Sequence, residues 1–184
     1  MKHFRKTIAL FLVVVMLTTT MGSTVLAGTE NQGFSDQAET TVDSRFLDGI
    51  DTAGYDYVIT SQEQADELRV SDDSKSILVA CGSVYLSGIT AGTITIRNTT
   101  KIQLSNVTAK ALDISQGTAI SFTGVKTDQL LIAGEKTEES SLQIDSETNI
   151  SKLELNGGQA VTLEGSGTTG DVEVKEPVSS LAVY

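Results

Sequence analysis

The feature that most constrains the fold is a pattern of aliphatic residues that repeats about every 18 positions from Ser76 onward. Within each repeat the aliphatic residues come in pairs two positions apart, which is the spacing of a β-strand with one buried face. One such set and its counterpart 18 residues later are Ile94, Ile96, Ile102, Leu104 and Val107, then Leu112, Ile114, Ile120, Phe122 and Val125. Strands this short cannot bury a face alone, so each repeat has to stack on the next.

The same register extends in both directions along the chain. The set 18 residues earlier is Ser76, Leu78, Val84, Leu86 and Ile89, in which Ser76 alone is polar. The later pairs, separated once by an insertion around Glu135–Ser140, are Leu130/Ile132, Leu142/Ile144, Leu153/Leu155, Val161/Leu163, Val172/Val174 and Leu181/Val183. Residues that tolerate left-handed backbone follow the second pair of four repeats, at Gly88, Asn106, Gly124 and Gly165.

This register predicts an all-β fold: a single-stranded parallel β-helix, or β-solenoid, with coils of about 18 residues and three short faces per coil. About five to six coils would occupy residues 76–184 and rise roughly 4.8 Å each. A left-handed hexapeptide helix has the same coil length, but its six-residue frame fails at Thr108 and Lys126. An antiparallel sandwich would show hairpin turns roughly every 8–12 residues instead. Handedness stays open, and the usual crossover rule favours a right-handed coil.

The first 27 residues have the pattern of a secretory signal peptide. Three basic residues lie within the first six positions, an apolar run covers Ile8–Leu17, and small residues precede Gly28. The run of ten residues is too short to cross a bilayer, which needs about 20. We therefore expect cleavage before Gly28 and no transmembrane anchor in the mature chain.

Two further segments separate the signal peptide from the repeat. Residues 28–54 are polar and acidic without periodicity, which is typical of a flexible leader. Residues 55–75 are expected to form an N-terminal cap, with a strand in the first five residues followed by a short helix. Thr60 and Glu63 have the spacing of a capping box that would begin this helix.

Charge and composition exclude several functions. The net charge is −11, and cleavage would remove three of the 13 basic residues and none of the 24 acidic ones, leaving −14. Such a chain repels nucleic acid and anionic membrane surfaces. Cleavage would also remove His3, the one histidine, so Ser-His-Asp chemistry and His-ligated metal sites are excluded. Cys81 is expected to be a small core residue, and we expect no metal or other cofactor.

Outward side chains of a β-solenoid form columns, with neighbours roughly 4.8 Å apart. The two predicted columns are Thr95, Asp113, Leu131, Glu154 and Glu173, then Ser105, Thr123, Asp145 and Glu164. Stacked carboxylates at Glu154/Glu173 or Asp145/Glu164 would suit retaining glycoside hydrolysis. The other reading, which we favour, is the solvated face of a very acidic protein.

Two features of the sequence indicate binding. Tyr85 lies between two aliphatic residues, so it should point outward, where it is a candidate contact for a glycan or protein. Leu181, Val183 and Tyr184 fall in the last apolar alternation, with no helix or polar segment after them in the sequence. An uncovered coil end presents unpaired strand edges and favours self-association or partner docking.

Gly92–Ile96 and Gly170–Val174 resemble the repeats of exported bacterial β-helix proteins, including adhesin-like proteins. The resemblance covers Ser76–Tyr184, implies a secreted or cell-surface location, and carries over no catalytic residue. These observations predict a secreted or cell-surface binding or scaffold protein without catalytic activity. Its partner would be a cell-surface or extracellular protein or glycan, or a second copy of the chain. The alternative is a polysaccharide-acting β-helix enzyme that uses the stacked carboxylates.

Overall fold

A computed structural model of the protein describes residues 44–134, 139–175 and 180–184. The expected signal peptide, the leader up to position 43 and the centre of the predicted insertion lie outside these ranges. Every strand pair within them is parallel, and the strands stack in about six turns. The predicted β-solenoid is therefore confirmed, and the antiparallel sandwich is excluded.

The solenoid consists of two sheets, and each coil supplies one strand to each of them. Sheet A contains β1 (Tyr57–Ile59), β2 (Ser71–Ala80), β4 (Thr90–Arg97), β6 (Thr108–Ser115), β8 (Lys126–Gly134), β10 (Asn149–Gly157) and β12 (Thr168–Val174). Sheet B contains β3 (Ser83–Ser87), β5 (Lys101–Ser105), β7 (Ala119–Thr123), β9 (Glu139–Ile144), β11 (Ala160–Gly165) and β13 (Ser180–Val183). One helix, α1 (Gln62–Glu67), lies between β1 and β2.

The strands of sheet A bend once. Between β4 and β6 the pairing skips one position, from Ala91 opposite Ala109 to Thr93 opposite Ala111. Ala91 and Ile94, three residues apart, both reach the core, whereas a straight strand would bring residues two apart to one face. The bent strand thus supplies two sides of the coil, and the sheet B strand supplies the third.

Inward side chains form aliphatic ladders along the solenoid. Ile94 pairs with Leu112 and Ile102 with Ile120, which is the offset of 18 that the sequence predicts. The larger offset from Ile120 to Leu142 confirms that an insertion interrupts the repeat before β9. Side chains on these ladders are almost completely buried, because each is covered by its counterparts on the coils before and after it.

The register of the first coil differs from the prediction. Ile77 and Val79 pair with Ile94 and Ile96, in place of the predicted Ser76 and Leu78. The cause is an irregularity in β2 between Asp72 and Ser76, which shifts the register by one residue. The strand also begins at Ser71, ahead of the expected start of the solenoid at Ser76.

The capping box of α1 lies one residue later than predicted. Ser61 is the N-cap, and its hydroxyl accepts a hydrogen bond from the backbone N–H of Gln64 at 3.3 Å. The Gln64 side chain reaches back to accept from the Thr60 N–H at 2.6 Å. Ser61 and Gln64 therefore replace Thr60 and Glu63, because the amide can bond the chain that enters the helix.

The N-terminal segment covers the first edge of both sheets. β1 pairs with β2 in sheet A, while in sheet B the Gln62 side chain takes the place of a strand. Its amide oxygen accepts from the Tyr85 N–H at 2.7 Å, and its amide nitrogen donates to the Tyr85 carbonyl at 2.9 Å. Asp56 secures β1 by accepting from the Ser76 N–H at 2.8 Å. That bond, with the Lys75 ammonium, lowers the pKa of Asp56 to about 2.

The end of the expected leader contacts the solenoid. Ser44–Phe46 forms a 3-10 turn, and the Phe46 carbonyl accepts a hydrogen bond from the Asn98 side chain at 3.0 Å. The Phe46 ring lies against Gly82, at the corner between β2 and β3. Residues 28–54 are therefore not uniformly detached, since this last part is in contact with two corners of the coil.

The predicted turn positions are confirmed. Positive φ values occur at Gly88, Asn106, Gly124 and Gly165. Gln116 also adopts a positive φ of 65°, although its residue type carries no turn signal, because the coil geometry requires a left-handed residue at that corner. At Gly165, a Cβ would lie 1.9 Å from the Ile144 carbonyl oxygen, so no side chain fits there.

We predict that Gly165→Ala lowers the free energy of unfolding by about 2 kcal/mol or more, through backbone strain and the clash with Ile144. Gly82→Ala is the matched control at another corner, because its Cβ would meet only the Phe46 ring at 3.8 Å. It should change the free energy of unfolding by about 0.5 kcal/mol or less. Urea denaturation measures both, and equal effects would contradict the prediction.

Candidate functional site

The outer face of sheet A carries the predicted acidic column. The strand register places Thr95, Asp113, Leu131, Glu154 and Glu173 next to one another on successive strands. This column is confirmed, and it brings Glu154 and Glu173 together as neighbours. The question is then what surrounds the two carboxylates.

Two lysines lie around these carboxylates. Lys175 Nζ is 2.8 Å from Glu154 Oε1, and Lys152 Nζ is 3.6 Å from Glu154 Oε2. Lys152 also forms an ion pair with Glu173, and the Gln129 amide donates to Glu154 at 3.3 Å. The Glu154 side chain is only 5% exposed, since these partners cover it. The arrangement is an alternating network of charges.

The network stabilises the ionised form of Glu154. Its pKa is lowered, mainly by the hydrogen bond from Lys175 and then by the charges of both lysines, against the opposing effect of burial. The pKa of Lys152 is raised, mainly by its hydrogen bond with Glu173. A general acid for glycoside hydrolysis needs a carboxyl with a raised pKa. The geometry at Glu154 and Glu173 therefore supports ion pairing better than acid–base catalysis.

These lysines were not among the candidates from the sequence. Lys152 lies two residues before Glu154, and residues two apart share a face of a strand, so this signal was present. Lys175 lies on the neighbouring coil, two residues after Glu173, and its contact depends on a diagonal reach across strands. Only the conformations of both side chains determine such a contact.

The second acidic pair, Asp145 and Glu164, was predicted wrongly. Glu164 pairs with Gln143, whose amide donates to it at 3.4 Å. The physical reason is a shift of two residues between β9 and β11, so that Leu163 lies beside Leu142 and not beside Ile144. Both carboxylates still line one shallow groove of about 420 Å³ on the outer face of sheet B.

Asp145 has a structural role at the corner after β9. Its carboxylate accepts from the Gly124 N–H at 3.0 Å and from the Thr148 hydroxyl at 2.7 Å. These bonds lower the pKa of Asp145, with the Gly124 bond making the largest contribution. The side chain thus fixes two adjacent corners to each other and is not oriented for chemistry.

Cys81 is a core residue, as predicted. It is buried, with its thiol donating to the Ser83 carbonyl at 3.3 Å. Burial raises the pKa of the thiol, which keeps it protonated and unreactive. Across the described ranges, no three His, Cys, Asp or Glu side chains are close enough together to hold a metal ion.

Tyr85 points outward from sheet B, as predicted, and is 45% exposed. Hydrogen bonding from Ser87, and to a smaller extent from Ser105, lowers the pKa of its phenol. Tyr85, Ser87, Asp66 and Arg69 line a groove of about 390 Å³ between α1 and the sheet. The aromatic ring therefore lies at the entrance to a polar groove.

The opposite end of the solenoid exposes its apolar interior. The exposed fractions there are 46% for Val172, 45% for Val174, 40% for Leu181, 65% for Val183 and 80% for Tyr184. The equivalent residues one coil earlier, such as Leu153 and Leu155, are fully buried. β12 and β13 are the last strands of their sheets, so one backbone edge of each is unpaired. The predicted interaction edge is thus exposed.

No family model, curated protein or solved structure matches this chain. In the part of the chain that the structure describes, no helix has the length and apolar character needed to span a membrane. The function therefore has to be inferred from the surfaces of the solenoid.

We predict that Glu154→Gln lowers the urea midpoint at neutral pH, because it removes the charge that both lysines face. Since the pKa of Glu154 is lowered in the folded state, its ionised form stabilises the fold fully above the ordinary value of 4.5. That contribution is lost as the pH falls through the lowered pKa, so the difference from the parent protein should shrink in acid. Glu164→Gln, whose partner is the Gln143 amide, should have a smaller effect at neutral pH. A difference that is independent of pH would contradict the role of ionisation.

Proposed function

We propose that the protein is exported and acts at or outside the cell surface as a non-catalytic, adhesin-like binding scaffold. The signal-peptide pattern of residues 1–27 supports export, and the resemblance to exported bacterial β-helix repeats supports a surface role. The observation that carries the binding role is the exposed apolar end formed by β12 and β13. We refer to this surface as the open end.

The open end combines two kinds of unsatisfied group. The outer edges of β12 and β13 present backbone N–H and C=O groups that a further strand could pair with. Val172, Val174 and Val183 lie on the inward ladders, where a covering layer would bury them. A partner that adds strands here would gain both backbone hydrogen bonds and apolar burial.

The other end does not offer the same surface. The Gln62 amide occupies both backbone groups of Tyr85, and β1 covers β2. Head-to-tail stacking into a fibre would need both ends to be open, whereas contact between two like ends closes after two copies. A second copy joined through the open end is therefore the partner that we propose for this surface.

We predict that the chain beginning at Gly28 forms a dimer that dissociates on dilution, as measured by light scattering. Association should strengthen with added salt, because screening weakens the repulsion between two strongly acidic chains. Leu181→Lys combined with Val183→Lys should yield a monomer, since it places charge on the exposed ladder.

Tyr57→Lys is the matched control, because Tyr57 is an exposed aromatic residue at the closed end, and it should leave the dimer intact. A parent protein that remains monomeric at every concentration and salt level would contradict docking of a second copy. Hydrolysis of a polysaccharide that is lost when Glu154 and Glu173 are replaced by glutamine would overturn the non-catalytic assignment.

A further inference from the structure

The outer face of sheet B carries a column of uncharged polar side chains. The strand register aligns Tyr85, Gln103, Ser121 and Gln143 on four successive strands, and Glu164 follows on the fifth. Ser87, Ser105 and Thr123 form a hydroxyl column along one side of it. This surface, from Tyr85 to Gln143, is called the amide face below.

The amide face differs from the acidic column on sheet A. There, Glu154 and Glu173 are neutralised by lysines of the same surface. On the amide face, by contrast, the Gln103 side chain is exposed and makes no hydrogen bond within the described ranges. In a chain with a net charge of −11, four consecutive uncharged positions leave polar groups available that do not repel a neutral ligand.

Tyr85 supplies an aromatic surface at one end of this face. Its hydroxyl is within reach of Ser87 and Ser105, which project from the adjacent column. The side chain also lines the same groove as Ser87 and Gly88. The ring therefore leans along the sheet, where it is 45% exposed and can pack against the apolar side of a ligand.

A groove opens at each end of the amide face. One, of about 390 Å³, includes Tyr85 and Arg69, and the other, of about 420 Å³, includes Ser121 and Gln143. Tyr85 and Gln143 lie three strand spacings apart, which corresponds to roughly 14 Å along the solenoid axis. Such a surface fits an elongated ligand better than a compact one.

We propose that the amide face binds a neutral polysaccharide chain that runs along the solenoid axis. Each sugar hydroxyl is both a donor and an acceptor, and a glutamine amide offers both functions. An anionic polymer would be repelled by Asp145 and Glu164 at one end. A protein partner would need an apolar centre, whereas Tyr85 is the one large exposed hydrophobic residue on the described part of this face.

The test measures binding of neutral hexasaccharides by calorimetry at up to millimolar concentration, using β-linked glucose, xylose and N-acetylglucosamine oligomers. A hexamer of galacturonate is the anionic comparison. At least one neutral hexamer should bind more tightly than the anionic one. Tyr85→Ala should weaken that binding about tenfold, and Gln103→Glu should weaken it independently of the aromatic ring.

Tyr57→Ala is the matched control, since Tyr57 is an exposed tyrosine on sheet A, and it should change the affinity by less than about twofold. Thermal midpoints verify that each variant is folded. No binding of any neutral hexamer, equal binding of the anionic one, or equal losses in Tyr85→Ala and Tyr57→Ala would each overturn the proposal. The Leu181→Lys/Val183→Lys variant should keep its affinity for sugar, which separates this site from the open end.

Discussion

Contact between equivalent aliphatic side chains on successive coils is the interaction on which the rest of the structure depends. Parallel pairing holds the coils roughly 4.8 Å apart, so Ile94, Leu112 and Leu130 are stacked directly on one another and excluded from water. No coil can bury its own interior, because each one is only a single layer thick. Val172 shows the consequence: it occupies the same ladder as the buried Leu153 but has no coil beyond it, and it is 46% exposed.

Because burial depends on neighbours, the two ends of the solenoid are chemically special. The first coil is completed by β1 and by the Gln62 amide, which satisfies the Tyr85 backbone as a strand would. The last coil has no such cover among the described residues. An edge strand with unpaired backbone and an apolar ladder below it is a template for pairing, and this difference between the ends determines where a partner can be added.

The period of the fold could be predicted from the sequence because every coil has to supply inward aliphatic residues at the same positions. The exact register could not be predicted wherever the pattern permits a shift. At Ile77–Val79 three consecutive residues are apolar, so a slip of one position still fills the core. At Leu163, a slip of two positions keeps the same face buried, and it separated Asp145 from Glu164. Backbone irregularities of this kind have no signature in side-chain alternation.

The chemistry of the outer faces follows from that register in two different ways. On sheet A the column was predicted correctly, yet its acidic residues are paired with Lys152 and Lys175, so the polar groups of this face satisfy one another. On sheet B the slip placed Gln143, an amide, beside Glu164 and extended an uncharged column back to Tyr85. A face whose groups are already paired has little to gain from a ligand, since binding would break existing bonds. A face with unpaired amides and an exposed ring gains new bonds on binding, so recognition of a neutral ligand is more favourable on sheet B than among the carboxylates.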